Sequence, residues 1–227
     1  TKETLTVLLN VAVSGAGKGQ ATIKDGEHIL GRMRGCGFDI GIEEFERLLL
    51  LAKLSVQSDV GNFSDVLKAA EALQKNSGTL SQKHVIWVLE SAVWSAYHRR
   101  QNHQGSGVSE RWYNDTWTRV EPVLQASNMA GEELGSKGVA LCARFAYLSE
   151  SKNLALRAWQ LFRAIPPKHR NSLVYREMIG ALGAVRNSEA ALGLLKVAIK
   201  NGITLTSELY MTTYEACSYD PAVVQEL

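Results

Sequence analysis

Apolar residues recur in this chain at the spacing of one helix face, and the helices that they predict come in pairs. Between residues 173 and 182 the apolar positions follow the pattern i, i+3, i+4, i+7, and they are Tyr175, Met178, Ile179 and Leu182. After a break at 183–187 comes a second stripe, which consists of Ala191, Leu194, Leu195 and Ala198. Neither short helix could bury its stripe alone, so the pattern predicts that each packs on the other and on a neighbouring pair.

Helix start and stop signals frame the second helix of this pair. Asn187 and Ser188 can cap its beginning, and Glu189 lies in the first turn, where the helix dipole favours an acid. Lys200 falls in its last turn and Gly202 comes just after it, as is typical of a helix end. The sequence therefore predicts two short helices and a tight turn over residues 173–202.

The same pair recurs along the chain at a period near 35 residues. Tyr175 and Tyr210 are 35 residues apart, and Cys142 precedes Tyr175 by 33. Earlier pairs have wider spacing, and Ile86 lies 56 residues before Cys142. Helix pairs repeated at this period predict an all-α fold, an α-solenoid in which each repeat packs on the next.

These spacings predict a single array over residues 1–227 and no separate domains. We place five repeats and a trailing half repeat at 4–42, 43–83, 84–137, 138–171, 172–207 and 208–227. The stretch 99–109 is polar and contains Gly and Ser, which predicts an exposed, easily cleaved loop inserted between two helices.

Composition and charge exclude several classes of protein. Hydrophobic residues make up 45% of the chain and charged residues 21%, which excludes wholesale disorder. The formal charge is +2, so no strong field draws the whole molecule onto nucleic acid. No apolar run approaches the roughly 20 residues that a membrane span needs, so we expect no membrane partner.

Residues 12–20 raise the alternative of a phosphate loop. Lys18 follows closely spaced glycines, and residues 5–13 could form the strand that such a loop requires, as in the similar loop of adenylate kinases. However, Ala12 replaces the first glycine and Gly19 replaces the Ser or Thr after the lysine. We favour an exposed Gly-rich turn between the helices of the first repeat, so a nucleotide-dependent enzyme is the weakest hypothesis.

No other pattern suggests catalysis, metal binding or a cofactor. The three cysteines are widely separated, which argues against a disulfide framework or a zinc knuckle and favours small apolar fillers. His98 and His103 have no Cys or acidic companions at metal-binding spacing. No nucleophile elbow or Cys/His nucleophile motif occurs. We therefore expect no catalytic residue, no metal ligand, no cofactor and no enzymatic activity.

Residues 173–206 resemble a pentatricopeptide repeat. The segments LVYREMIGAL, SEAALGLL and NGITLT follow, without gaps, the family patterns V-T-Y-N-x-L-I-x-x-L, E-E-A-x-x-L-F and x-G-I-x-P-D. The match is weaker at 140–165 and 203–217 and weakest before residue 137. Tetratricopeptide repeats have a period of 34 and a Trp-x-x-Leu-Gly start, which this chain lacks.

The resemblance implies a right-handed solenoid of antiparallel helix pairs whose first helices line a groove for single-stranded RNA. Family members read one base per repeat with two residues, a small polar one after the aromatic and a second at the end of the repeat. In the clearest repeat these places hold Arg176 and Thr206; in the others they hold Glu46 with Gln82, Trp87, Ala143 and Met211. The usual Asn, Ser or Thr is missing from every first place, which argues against base-specific recognition.

Four residues are therefore candidates for RNA binding. Arg144 and Arg176 lie on first helices, where contacts with phosphates would be made. Trp87 occupies a groove-lining place where it could stack on a base. Thr206 is included by the resemblance alone. Packing between repeats and a solvated basic face remain the alternative roles for the tryptophan and for the arginines.

Family members usually act in mitochondria or plastids, and some belong to organellar ribosomes. We therefore expect a mitochondrial ribonucleoprotein component, acting as a scaffold that contacts the RNA backbone in the mitoribosome or in RNA processing. Its partners would be single-stranded or ribosomal RNA and proteins of the same assembly. The alternatives are a stand-alone, sequence-specific RNA-binding factor of the same family and the phosphate-loop enzyme.

Overall fold

The structure, a computed structural model, describes residues 1–102, 109–129 and 131–227, and its regular elements are all helical. The α-helices are α1 (Lys2–Ala16), α2 (Ile23–Gly35), α3 (Ile42–Gln57), α4 (Phe63–Ser77), α5 (Gln82–Asn102), α6 (Glu110–Ala126), α7 (Gly131–Ser149), α8 (Lys152–Ala164), α9 (Ser172–Ala184), α10 (Ser188–Lys200), α11 (Ser207–Cys217) and α12 (Pro221–Val224). A 3₁₀ turn, Pro167–His169, lies between α8 and α9. The described residues contain no strand, which confirms the all-α prediction. None of the described helices is both long enough and apolar enough to cross a membrane.

Side-chain caps fix the starts of the last helices. Asn171 accepts a hydrogen bond from the amide of Val174 at 3.1 Å, and Asn187 accepts one from Ala190 at 3.3 Å. Each of these bonds satisfies an amide that the helix itself leaves without a partner. The predicted helix pair at 173–202, with its cap at Asn187, is therefore confirmed as α9 and α10.

Several helices are followed by a residue with left-handed backbone, which is glycine after some helices and a charged or amide residue after others. The second helices α2, α4 and α10 are followed by glycines with φ of 75°, 81° and 79°, which are Gly37, Gly78 and Gly202. The first helices α3, α7 and α9 are followed by charged residues with φ of 58°, 53° and 59°, which are Asp59, Glu150 and Arg186. A side chain in this left-handed region costs about 1–2 kcal/mol. The ends of these first helices therefore keep a charged side chain at the expense of stability.

The chain divides into two compact units, and the division falls within α5 and α6. Unit 1 comprises Thr1–Arg99 and Arg119–Ser127. In it α1 packs on α2 and α3, and α3 packs on α4. Lys53 of α3 pairs with Glu90 of α5 at 3.2 Å. The largest fully buried side chains of this unit are Leu9, Met33, Leu49, Leu51, Leu73 and Leu89.

Unit 2 comprises Arg100–Thr118 and Asn128–Leu227. Its first helices α7, α9 and α11 pack side by side, α8 packs on α7 and α9, and α10 packs on α9 and α11. Phe162 of α8 meets Tyr175 of α9 edge-on, with ring centroids 5.4 Å apart. The residues that we expected to be buried together, Met178, Ile179, Leu194 and Leu195, are all buried.

The first helix of the chain contradicts the phosphate-loop alternative. Residues 5–13 were its candidate strand, and they lie inside α1. The helix continues to Ala16, and a turn closed by the bond from the Gln20 amide to the Gly15 carbonyl follows it. The Gly-rich turn is therefore shorter than we expected, and the strand–loop–helix context that phosphate binding requires is missing.

Helix length accounts for part of the wide spacing in the middle of the chain. We expected part of the excess to fall in an inserted loop at 99–109, but residues 99–102 belong to α5, and residues 103–108 lie outside the described part. At 21 and 17 residues, α5 and α6 are longer than the 13-residue helices α9 and α10. The non-helical backbone of Gly135, with φ 70° and ψ 174°, interrupts α7 near its start.

Two of the three cysteines are buried, as expected of apolar fillers. Cys142 and Cys217 lie in the interior of unit 2, whereas Cys36 is exposed just after α2. Burial raises the pKa of Cys142 to about 12, so its thiol stays protonated near neutral pH.

Candidate functional site

Small residues let the first helices of unit 2 approach one another closely. A Cβ atom added at Gly183 of α9 would lie 2.5 Å from the Cβ of Ala216 on α11. One added at Gly180 would lie 3.6 Å from Thr212 of α11 and equally far from Tyr147 of α7. The side chains that α7, α9 and α11 present to solvent therefore form one continuous surface.

Both candidate arginines lie on this surface, and the structure joins them through carboxylates. Arg144 of α7 pairs with Glu177 of α9 at 3.3 Å. Arg176 pairs with the other oxygen of Glu177 at 2.9 Å and with Glu208 of α11 at 2.5 Å. We call these four residues the charge ladder, because positive and negative groups alternate across three consecutive first helices.

The charge ladder is electrically balanced. Burial lowers the pKa of Arg176, but Glu177 and Glu208 more than offset this and leave that pKa above its ordinary value. Glu177 is buried, and each of its carboxylate oxygens meets a guanidinium group. A phosphate that approached either arginine would therefore compete with a carboxylate already in place.

Next to the charge ladder lies a hollow of about 280 Å³ that sequence reasoning missed. Its floor is formed by small residues of α9 and α11, and its rim carries Arg100, Tyr147, Glu150, Arg186 and Tyr219. Arg100 pairs with Glu150 at 2.8 Å, and the Tyr219 hydroxyl donates a hydrogen bond to the carbonyl of Gly183 at 2.6 Å.

Only one rim residue of the hollow carried a signal in the sequence. Tyr147 follows Arg144 by one helical turn, and its ring lies 5.4 Å from that guanidinium, so helical spacing could have identified it. Arg100 and Tyr219 come from distant parts of the chain, and only tertiary packing brings them to the hollow.

Trp87 lies in unit 1 and is half-buried on α5. Lys83 lies 5.0 Å from its ring, and the His84 ring is tilted against it at 5.6 Å. Glu46 of α3 holds both neighbours, pairing with Lys83 at 3.1 Å and with His84 at 2.9 Å. The indole therefore sits at an α3–α5 junction where packing, cation–π attraction and ion pairing converge.

The ionisable groups of this junction shift one another's pKa values. Burial raises the pKa of Glu46, but Lys83 and His84 outweigh it and lower that pKa below its ordinary value. Burial lowers the pKa of His84 below its ordinary value in spite of the nearby Glu46. The structure thus favours an ionised Glu46 beside a neutral His84.

Four further base-reading places hold side chains that are used elsewhere or are apolar. The hydroxyl of Thr206 caps α11 by accepting a hydrogen bond from the Leu209 amide at 3.2 Å. Ala143 is fully buried, so it faces the protein interior. Met211 is exposed but apolar, and Glu46 is held by its basic neighbours. None of these four places holds an amide, and the one hydroxyl among them, that of Thr206, already accepts the cap hydrogen bond.

Among the described residues, no group of three or more His, Cys, Asp and Glu side chains could hold a metal ion. Comparisons of the chain with protein-family models, with curated proteins and with solved structures find no match.

Proposed function

We propose that this protein is a helical-repeat scaffold of a mitochondrial ribonucleoprotein. It contacts the sugar-phosphate backbone of the RNA and not the edges of the bases. The observation that carries the proposal is the charge ladder, which spans three neighbouring first helices with its charges balanced. Such a surface suits polar contacts with a protein or with a structured ribonucleoprotein better than tight binding of a free RNA strand, which needs excess positive charge.

In this proposal the helix pairs of each unit are consecutive turns of a right-handed α-solenoid. The side-by-side packing of α7, α9 and α11 and the recurrent left-handed residues at helix ends support it. The resemblance of residues 173–206 to a pentatricopeptide repeat supports the mitochondrial setting and a role in translation or RNA processing. Enzymatic activity is not part of the proposal.

RNA-backbone contact is tested by binding of short oligo(U), oligo(A) and oligo(C) strands at two salt concentrations. We expect weak binding without base preference, which falls by about 0.7 log units per phosphate contact for each tenfold rise in salt. Replacing both Arg144 and Arg176 with Ala should weaken binding of all three strands alike. A strong preference for one base, or binding that does not respond to salt, would contradict the proposal.

The ladder carboxylates provide a sharper test. Glu208→Gln should strengthen binding of every strand, because it frees Arg176 from its exposed carboxylate partner. Glu215→Gln is the matched control, since it removes a negative charge from the same helix without releasing an arginine. If the two variants strengthen binding equally, the arginines do not make the phosphate contacts.

Membership of a ribonucleoprotein is tested separately by crosslinking and affinity purification from mitochondria, scored for RNA and for ribosomal proteins. Recovery of ribosomal proteins or of one RNA species supports the scaffold. Recovery of neither contradicts it.

A further inference from the structure

A second groove lies in unit 2 between α8 and α10, on side chains that neither the charge ladder nor the hollow uses, apart from one shared arginine. Its volume is about 590 Å³, within the range of roughly 300–1,000 Å³ typical of pockets that enclose a ligand. Its main lining residues are Lys152, Leu156, Trp159, Leu182, Val185 and Arg186. We call it the α8/α10 groove.

The floor of the α8/α10 groove is apolar and partly open to solvent. Leu156 is 56% exposed although it lies in the middle of α8. The Trp159 indole stacks on Phe162, with ring centroids 5.4 Å apart and an angle of 17° between the rings, and it stays half-buried. A half-buried, stacked aromatic side chain beside an exposed leucine is the kind of surface that binds apolar anchor side chains.

The rim of the α8/α10 groove is cationic and unpaired. Within the described part of the chain, neither Lys152 nor Arg186 makes an ion pair, and no acidic residue lines the groove. The sequence of α8 contains Lys152, Arg157 and Arg163 but no Asp or Glu. In the charge ladder, by contrast, each arginine has a carboxylate partner.

Arg186 adds a conformational argument. It follows α9 with φ 59°, a place where glycine would be more stable and where Gly202, after α10, has φ 79°. The chain thus keeps a cation at the edge of the groove in a backbone conformation that disfavours it. Such a cost is often found where the side chain makes a functional contact.

We propose that the α8/α10 groove docks an acidic segment of a partner protein, with aliphatic or aromatic side chains on the apolar floor and carboxylates against Lys152 and Arg186. The charge of the rim selects the acidic partner, and the aliphatic floor selects anchor side chains. A nucleic acid fits less well, because the single indole is already stacked on Phe162 and offers no series of stacking platforms. This proposal does not depend on the charge ladder or on RNA binding.

The test uses two synthetic peptides with the same leucine anchors, one with glutamates and one with lysines at the remaining positions. Fluorescence anisotropy of each labelled peptide is measured against the 227-residue chain, with oligo(U) as a competitor. We expect the glutamate peptide to bind at least about tenfold more tightly than the lysine peptide, and oligo(U) not to displace it. Equal binding of the two peptides, no binding of either, or displacement by oligo(U) would overturn the proposal.

Charge reversal locates the contact. Lys152→Glu combined with Arg186→Glu should weaken the glutamate peptide by roughly tenfold or more and strengthen the lysine peptide. Arg163→Glu combined with Lys168→Glu is the matched control: it reverses two charges on exposed residues that do not line the groove, and it should leave the preference intact. An equal effect of the control would show that overall charge, and not the groove, attracts the peptide.

Arg186→Gly separates binding from folding. This variant relieves the left-handed backbone, so its thermal stability should rise while its affinity for the glutamate peptide falls by several-fold. If its affinity is unchanged, Arg186 makes no contact with the peptide and the proposal fails.

Discussion

Single residues at helix ends show where local conformation and charge compete. Arg186 and Gly202 occupy matching places after α9 and α10, with φ of 59° and 79°. Arg186→Gly should raise the free energy of unfolding by roughly 0.5–1 kcal/mol, because the relief of the left-handed side chain exceeds the added freedom of the unfolded chain. Urea denaturation measures the change.

The reverse substitution is the control. Nothing lies within 4 Å of a Cβ atom at Gly202, so Gly202→Arg tests the backbone without a steric clash. It should lower the free energy of unfolding by roughly 0.5–1 kcal/mol, because the same two contributions act with opposite sign. If both substitutions shift stability in the same direction, backbone conformation does not explain either effect.

Because His84 is buried, we expect the stability of unit 1 to depend on pH. The Ser81 amide donates to its Nδ1 at 3.3 Å, so the neutral ring carries its proton on Nε2 and donates to Glu46 at 2.9 Å. Because burial holds the pKa of His84 below that of the unfolded chain, the unfolded state binds more protons just below the ordinary histidine pKa. Stability is therefore highest above that pKa and falls as the pH drops.

We predict that the wild-type chain loses more stability between about pH 7.5 and about pH 5.5 than His84→Gln does. Denaturant unfolding at the two pH values measures the difference. His28→Gln, on the exposed side of α2, should leave the wild-type pH response unchanged. An identical pH response in His84→Gln and in the wild type would refute the assignment.

At the scale of elements, the contact between α9 and α11 depends on a missing side chain. A Cβ atom at Gly183 would lie 2.5 Å from the Cβ and 2.7 Å from the Cα of Ala216, and backbone cannot yield as a flexible side chain can. Gly183→Ala should therefore destabilise the chain by about 1–3 kcal/mol in thermal or chemical unfolding. Gly180→Ala meets its neighbours only at 3.6 Å, and it should be neutral or stabilising by up to about 1 kcal/mol.

The second prediction at this scale concerns which face of α10 is buried. Leu195 is 4% exposed, so Leu195→Ala should cost about 2–5 kcal/mol through lost burial and the cavity left behind. Val197 of the same helix is 42% exposed, and Val197→Ala should change stability by less than about 0.5 kcal/mol. Equal losses in the two variants would mean that α10 does not bury the predicted face.

At the scale of the whole molecule, a formal charge of +2 conceals an uneven local distribution. The charge ladder balances its arginines with glutamates, while α8 has three basic residues and no acid. Overall composition could not distinguish these surfaces, because it averages them. They correspond to the two proposals, ribonucleoprotein contact at the charge ladder and an acidic protein segment in the α8/α10 groove.

Sequence alone determined those helices whose position and ends depend on residues within one or two helical turns of each other. Helical periodicity located α9 and α10, and an asparagine before the second of them identified its cap, since a cap bonds within one helical turn. Buried positions such as Met178 and Leu194 followed from the same periodicity. Where the local signal was ambiguous, at 5–13, an apolar run compatible with a strand or a helix became α1.

Tertiary structure alone decided what the surface side chains do. Arg144 and Arg176 could be placed on first helices, but the carboxylates that neutralise them come from α9 and α11, and periodicity carries no information on such pairs. The α8/α10 groove arises in the same way, because Lys152 and Arg186 are far apart in sequence and line one groove only when α8 and α10 flank the end of α9. The sequence gives the charge of each side chain, but packing between helices decides which oppositely charged side chain lies next to it.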